Sequence, residues 1–156
     1  DMHWKKRSML PEEKKDLFHL LGILESAGKI SDYSKGIETA DEFIRSQNQM
    51  VYNTCLTLLT NICEELEKLS AETKSKLTKL DLRAIKGMRN RIVHDYQNLD
   101  SYIIFDAIQK DLPPLNETLY EVISAGLKNN IFDREDFNIS KASKFYKDID
   151  FSKIEC

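Results

Sequence analysis

The stretch Gln49–Ser70, QMVYNTCLTLLTNICEELEKLS, decides the fold. Val51, Cys55, Leu58, Leu59, Ile62, Leu66 and Leu69 recur mostly at spacings of three and four, which winds them into one broad apolar stripe on an α-helix. Thr54, Thr57 and Thr60 lower the intrinsic helix propensity of the stretch, so packing must hold it. A stripe that wide requires several neighbouring helices to cover it.

Those neighbours are legible on both sides. Pro11-Glu12-Glu13 opens a helix with proline in its first turn and acids at the positive end of the dipole. Leu17, Leu20, Leu21, Leu24 and Ile30 form its inward face, with Lys14, Lys15 and Glu25 turned outward and Gly36 as its stop. His19, among apolar neighbours, reads as a packing residue. Thr39-Ala40-Asp41-Glu42 is a capping box before a short helix through Phe43 and Ile44. Asp81 is a candidate N-cap for the next helix, whose inward face is Leu82, Ile85, Met88 and Ile92. Ile103, Ile104, Ile108, Leu112, Leu115, Leu119 and Val122 supply a fourth long helix from near Asp100, with a kink or break expected at Pro113-Pro114. The segment 127–156 is polar but holds Phe132, Phe137, Phe145, Tyr146 and Phe151, so it either folds back on the bundle or docks on a partner.

With five glycines, no β-alternation, no glycine-rich phosphate loop and no repeat, the pattern predicts an all-α, up-and-down four-helix bundle. At 156 residues it is one domain, able to bury about 70% of its unfolded surface. Apolar residues make up 41%, with no run long enough to span a membrane. Lys5-Lys6-Arg7 has no apolar stretch behind it, so secretion is not expected; a chain opening on Asp1 is expected to have been trimmed or to carry added residues. Three cysteines, Cys55, Cys63 and Cys156, form neither a CxxC nor a CxxH pair. That argues against a disulfide framework and a zinc site, and suggests a cytoplasmic protein with Cys55 and Cys63 as buried hydrophobes.

Chemistry gathers in Met88-Arg89-Asn90-Arg91-Ile92-Val93-His94-Asp95-Tyr96. A guanidinium, an imidazole that titrates near neutrality and a phenol so close together suit work on a phosphodiester. Asp95 alone argues against a simple anion pocket. The net charge of −3 gives no global attraction to nucleic acid, yet Lys74, Lys76, Lys79, Arg83, Lys86, Arg89 and Arg91 face one acid, Asp81, a local balance of about +6. The strip is either a solvated helix face or a phosphate-contacting surface. On an ideal helix positions 89 and 94 lie about 140° apart. Their side chains converge only if the helix ends or bends near His94, or if a second subunit contributes.

On these residues the chain resembles the HEPN superfamily, and within it the HepT-type toxins (DUF86 type) paired with a minimal nucleotidyltransferase antitoxin. Asp81 to Tyr96, DLRAIKGMRNRIVHDY, carries the match, with Arg89-Asn90, His94 and Tyr96 in the family's register. ICEELEKLS (Ile62–Ser70), IQKDLPPL (Ile108–Leu115) and ILESAGKISDYSKG (Ile23–Gly36) support it. The likeness covers residues 11–126 as a helical domain and leaves 127–156 as an extension of unknown role. It implies a HEPN-like bundle that forms a symmetric homodimer, bringing two motifs together across a cleft. It also implies a metal-independent endoribonuclease without cofactor, acting on tRNA or mRNA through the RNA's own 2′-hydroxyl. His94 would then be the general acid or base, Arg89 the phosphate clamp and Asn90 an orienting group. Arg91, Lys86 and Arg83 would bind RNA, and Tyr96 would be the residue that the antitoxin AMPylates. Two other readings stay open: a non-catalytic helical dimer that binds RNA and serves as a nucleotidyltransferase's substrate, and a nucleotide-binding accessory subunit.

Overall fold

The computed structural model describes residues 12–154, with side chains from residue 15. Pro11, the Lys5-Lys6-Arg7 run and Cys156 lie outside the described residues. Eight helices are found among the described residues, and no strand. They are α1 (Glu12–Tyr33), α2 (Ala40–Arg45), α3 (Met50–Glu67), α4 (Ala71–Ser75), α5 (Leu82–His94), α6 (Ser101–Lys110), α7 (Leu112–Lys128) and α8 (Arg134–Lys141). The fold class is as the sequence implies, an all-helical HEPN-like bundle.

The local signals act as read, with one change. Thr39 accepts from the Glu42 backbone, but the Glu42 carboxylate reaches back to the Glu38 N–H rather than to Thr39, so the box closes one residue early. Asp81 and Asp100 cap α5 and α6 through their side chains. The expected interruption falls at Asp111, which leaves Pro113 and Pro114 in the first turn of α7, where a missing N–H costs little. Thr57 and Thr60 return their hydroxyls to the carbonyls of Asn53 and Leu56, which satisfies them inside α3.

α3 is the hub. It packs most extensively on α1 and next on α5, while α7 leans on α1 and α6 on α2. Leu20, Leu21, Ile23, Cys55, Leu59, Leu119 and Ile123 form the centre of the apolar core. Polar crosslinks fix the directions of the helices. Across α1 and α3, His19 meets Glu65 and Ser26 meets Asn61; across α3 and α5, Glu64 meets Arg89 and Glu67 meets Lys86. In each pair of helices one index rises as the other falls, the signature of antiparallel neighbours.

His19 therefore does not pack as an apolar residue. Its Nδ1 lies 2.6 Å from the Glu65 carboxylate, and that bond holds the Glu65 carboxyl below its ordinary pKa. A second buried polar group was not legible at all. Asp16, fully buried on α1, accepts from the backbone N–H of Ser70 at 3.0 Å and from the Ser70 and Thr73 hydroxyls at 2.5 Å each. It ties the first helix to α4 and so fixes where the chain turns into α5.

Glu25 also departs from expectation. It is not turned outward but only 2% exposed, because the C-terminal segment lies over it. Glu25 Oε1 accepts the Asp148 backbone N–H at 2.7 Å, with Lys29 at 3.4 Å from the other oxygen. Burial pushes the Glu25 carboxyl above its ordinary range. Two glycines allow the close fit. A Cβ at Gly28 would sit 2.6 Å from the Asp148 carbonyl oxygen, and one at Gly126 would sit 2.4 Å from the Phe132 ring. Phe132, Phe137, Ile149 and Ile154 join the same core as the helices. At about 1.5–3 kcal/mol for each large apolar side chain, this burial is ample to hold the segment down. Of the two fates open for the segment, folding back is the one adopted.

Candidate functional site

α5 is the least covered of the long helices. Its four expected inward residues differ in depth: Ile92 is buried, whereas Leu82, Ile85 and Met88 are only half-buried. Ile85 and Met88 line an apolar groove of about 350 Å³ shared with Leu59, Ile62 and Leu66 of α3 and Leu112 and Leu115 of α7. Val93, Tyr102 and Ile103 are also exposed, and Ile103 shares a second groove with Met88.

The motif residues distribute around this helix by the 100° step. Arg89 is half-buried against α3. Its Nη2 donates to Glu64 Oε1 at 3.1 Å and its Nη1 to Asn90 Oδ1 at 3.2 Å. Arg89, Asn90 and Lys86 line one groove of about 400 Å³ with Cys63, Glu64, Glu67 and Lys68. Arg83 lies in the adjoining groove with Lys86 and Lys74. Arg91 faces the opposite side, beside Leu99, Ile103 and Asp106. His94 is the last residue of α5, exposed, and does not line the Arg89 groove. α5 runs unbroken to His94 and ends there, so within one chain Arg89 and His94 occupy different faces of the same helix terminus. Tyr96 follows in a 3₁₀ turn, Tyr96–Asn98, and its hydroxyl donates to Asn53 Oδ1 at 2.6 Å.

Sequence reasoning missed two of these partners. Glu64 and Asn53 both come from α3 and meet the motif from across the helix interface. A signal for Glu64 existed: acids at 64 and 67 have the same three-residue spacing as cations at 86 and 89, which antiparallel helices bring face to face. Nothing in the sequence points to Asn53. The basic strip is also weaker than its tally. Lys79 pairs with Glu121, Lys86 with Glu67 and Arg89 with Glu64, while Lys74 donates to the Glu67 carbonyl. Lys76, Arg83 and Arg91 have no ion pair among the described residues.

The two cysteines of α3 are buried free thiols, and burial pushes both to about 11. They are inert fillers rather than nucleophiles. No cluster of three His, Cys, Asp or Glu side chains able to hold a metal ion is found among the described residues. Nor is any helix among them long and apolar enough to cross a membrane.

The family model described as "Ribonuclease HepT-like" matches residues 23–122, a span that runs from mid-α1 through most of α7 and contains the whole α3–α5 face. The chain belongs to the HepT-like ribonuclease family. It is 27% identical over 105 residues to a protein named "Putative RNase TTE0752" from Caldanaerobacter subterraneus subsp. tengcongensis, covering 67% of this chain and 91% of that one. It is 26% identical over 98 residues to "Putative RNase MJ1380" of Methanocaldococcus jannaschii, covering 63% and 87%. A third relative, "Gamma-glutamylcyclotransferase and putative RNase MJ0434" of the same organism, is 26% identical over 117 residues, 74% of this chain and 51% of the relative. No solved structure matches the chain. The HepT-like match stops within α7, so α8 and the segment after it lie outside the matched residues.

Proposed function

We propose that this chain is a metal-independent endoribonuclease that works as a homodimer and is silenced by AMPylation of Tyr96. One observation carries the reading: in a HepT-like chain, Arg89, Asn90 and Lys86 line one groove on the helix that ends in an exposed His94. Because Arg89 and His94 lie on different faces of α5, a productive site takes Arg89 from one protomer and His94 from its partner, across a two-fold axis. The half-open apolar face of α5, with Ile103 exposed beside Met88, is the surface a second copy would cover.

The chemistry needs little from the protein beyond proton transfer and charge. The 2′-oxygen attacks the adjacent phosphorus, the bond to the 5′-oxygen breaks, and a 2′,3′-cyclic phosphate remains. His94 takes the 2′-hydroxyl proton or delivers one to the leaving 5′-oxygen. Arg89, released from Glu64, offers two N–H donors to the non-bridging oxygens, and Asn90 orients it. Arg91, Arg83 and Lys86 hold the flanking phosphates of a tRNA or mRNA. AMP on Tyr96, two residues from His94, places an anion where the substrate phosphate belongs; the modifying partner is a minimal nucleotidyltransferase antitoxin in the same cytoplasm.

Incubation with tRNA and mRNA in EDTA is the test. Cleavage persists with chelator and is lost in His94→Ala and Arg89→Ala, by about 10²-fold or more, the range for removing a general acid–base or an oxyanion donor. Loss of wild-type cleavage in EDTA overturns metal independence. A second reading, a non-catalytic RNA-binding dimer and modification substrate, is favoured by the closed Arg89–Glu64 pair. Wild type that binds RNA, leaves it intact and does not slow growth when expressed alone would establish that reading instead.

A further inference from the structure

Three described tyrosines are prominently exposed, Tyr33, Tyr96 and Tyr102, and two of them have hydroxyls anchored in different ways. Tyr102 donates to the Asp41 carboxylate at 3.0 Å. That charged acceptor holds the phenolic proton firmly, and its pKa rises accordingly. Tyr96 donates instead to a neutral amide, Asn53 Oδ1, at 2.6 Å. A neutral acceptor fixes the direction of the O–H bond and the ring rotamer and sets no negative charge beside the oxygen. Asn53 sits in the first turn of α3, whereas Tyr96 lies in the turn after α5, so the contact also pins the exit of α5 to the hub helix.

We infer that Asn53 is the positioning residue that presents the Tyr96 hydroxyl to a nucleotidyltransferase. The inference rests on the proposed modification of Tyr96 and adds its structural determinant. In the transfer, the Tyr96 oxygen bonds to the α-phosphorus of ATP, the bond to the bridging α–β oxygen breaks and pyrophosphate leaves. The phenolic proton passes from its bond with Asn53 to a base of the transferase. Asn53 itself exchanges no proton. It keeps a lone pair of the Tyr96 oxygen aimed outward from a side chain that is 49% exposed.

The test uses the full chain and a minimal nucleotidyltransferase of the proposed antitoxin class, with ATP and Mg²⁺, followed by intact-mass measurement of added AMP and peptide mapping of its position. Wild type and Asn53→Ala are compared as substrates over a range of concentrations. The expected result is a fall in kcat on the order of tenfold, as for one misdirected reacting group, with KM for the protein substrate unchanged. Melting temperature and RNA cleavage by the unmodified variant are measured alongside; a cleavage loss as large as the transfer loss overturns the inference, since Asn53 would then act by holding the exit of α5. Equal kcat for the two proteins overturns the inference while leaving the modification intact. A higher KM with unchanged kcat also overturns it, since Asn53 would then be a docking contact. Failure of the wild type to gain AMP on Tyr96 defeats the underlying proposal, and this inference with it.

Discussion

Replacing Glu64 by glutamine isolates what the Arg89 ion pair does. The two side chains are 32% and 43% exposed and 3.1 Å apart, so water screens much of their attraction. Such a pair contributes at most about 1 kcal/mol to stability. For a chain of this size that amounts to a fall in Tm of about 2–4 °C or less. The effect on RNA has the opposite sign. A phosphate bound by Arg89 would lie about 6 Å from the Glu64 carboxylate, where like-charge repulsion costs about 1 kcal/mol in a largely aqueous groove. Removing that charge, and with it the competitor for the guanidinium, should tighten binding roughly fivefold. The assay is fluorescence anisotropy with labelled RNA, in a His94→Ala background so that no cleavage occurs, at low and high salt. The gain should shrink as salt rises. Weaker binding by the Glu64→Gln protein, or a Tm loss well beyond 4 °C, would refute the reasoning, because Glu64 would then be holding Arg89 in its working position.

Two further outcomes follow from the buried polar groups. Asp16→Ala strands the Ser70 N–H and two hydroxyls that a buried carboxylate now satisfies, and should lower unfolding free energy by about 3 kcal/mol or more in urea titrations. An effect under about 1 kcal/mol would mean that water replaces the carboxylate without cost. Glu65 has a pKa lowered chiefly by its hydrogen bond to His19, so its contribution is present above the unfolded value of 4.5 and lost as pH falls through the folded value. Glu65→Gln should therefore flatten the acid limb of the stability profile; an unchanged slope between pH 5 and 3 would sink this assignment.

The sequence by itself determined the long helices, since the 3.6-residue stripe on α3, the aspartate cap at 81 and the proline pair at 113–114 act through local chemistry; the short helices α4 and α8 were not legible in it. It also determined the family, through the Asp81–Tyr96 run. What lies across a helix interface was decided only by the tertiary structure. The outward position assigned to Glu25 assumed open solvent, and the segment that buries it lies more than a hundred residues away in the chain. Asp16 sits among leucines in the sequence, and its hydroxyl partners are 54 and 57 residues distant. Glu64 and Asn53 engage the motif because α3 and α5 run antiparallel, a relation periodicity cannot encode for a single helix. Helical spacing fixes which way a side chain departs from its own axis. Only packing fixes what it meets, and the charge, the anchored hydroxyl and the covered carboxylate of this protein all depend on that second step.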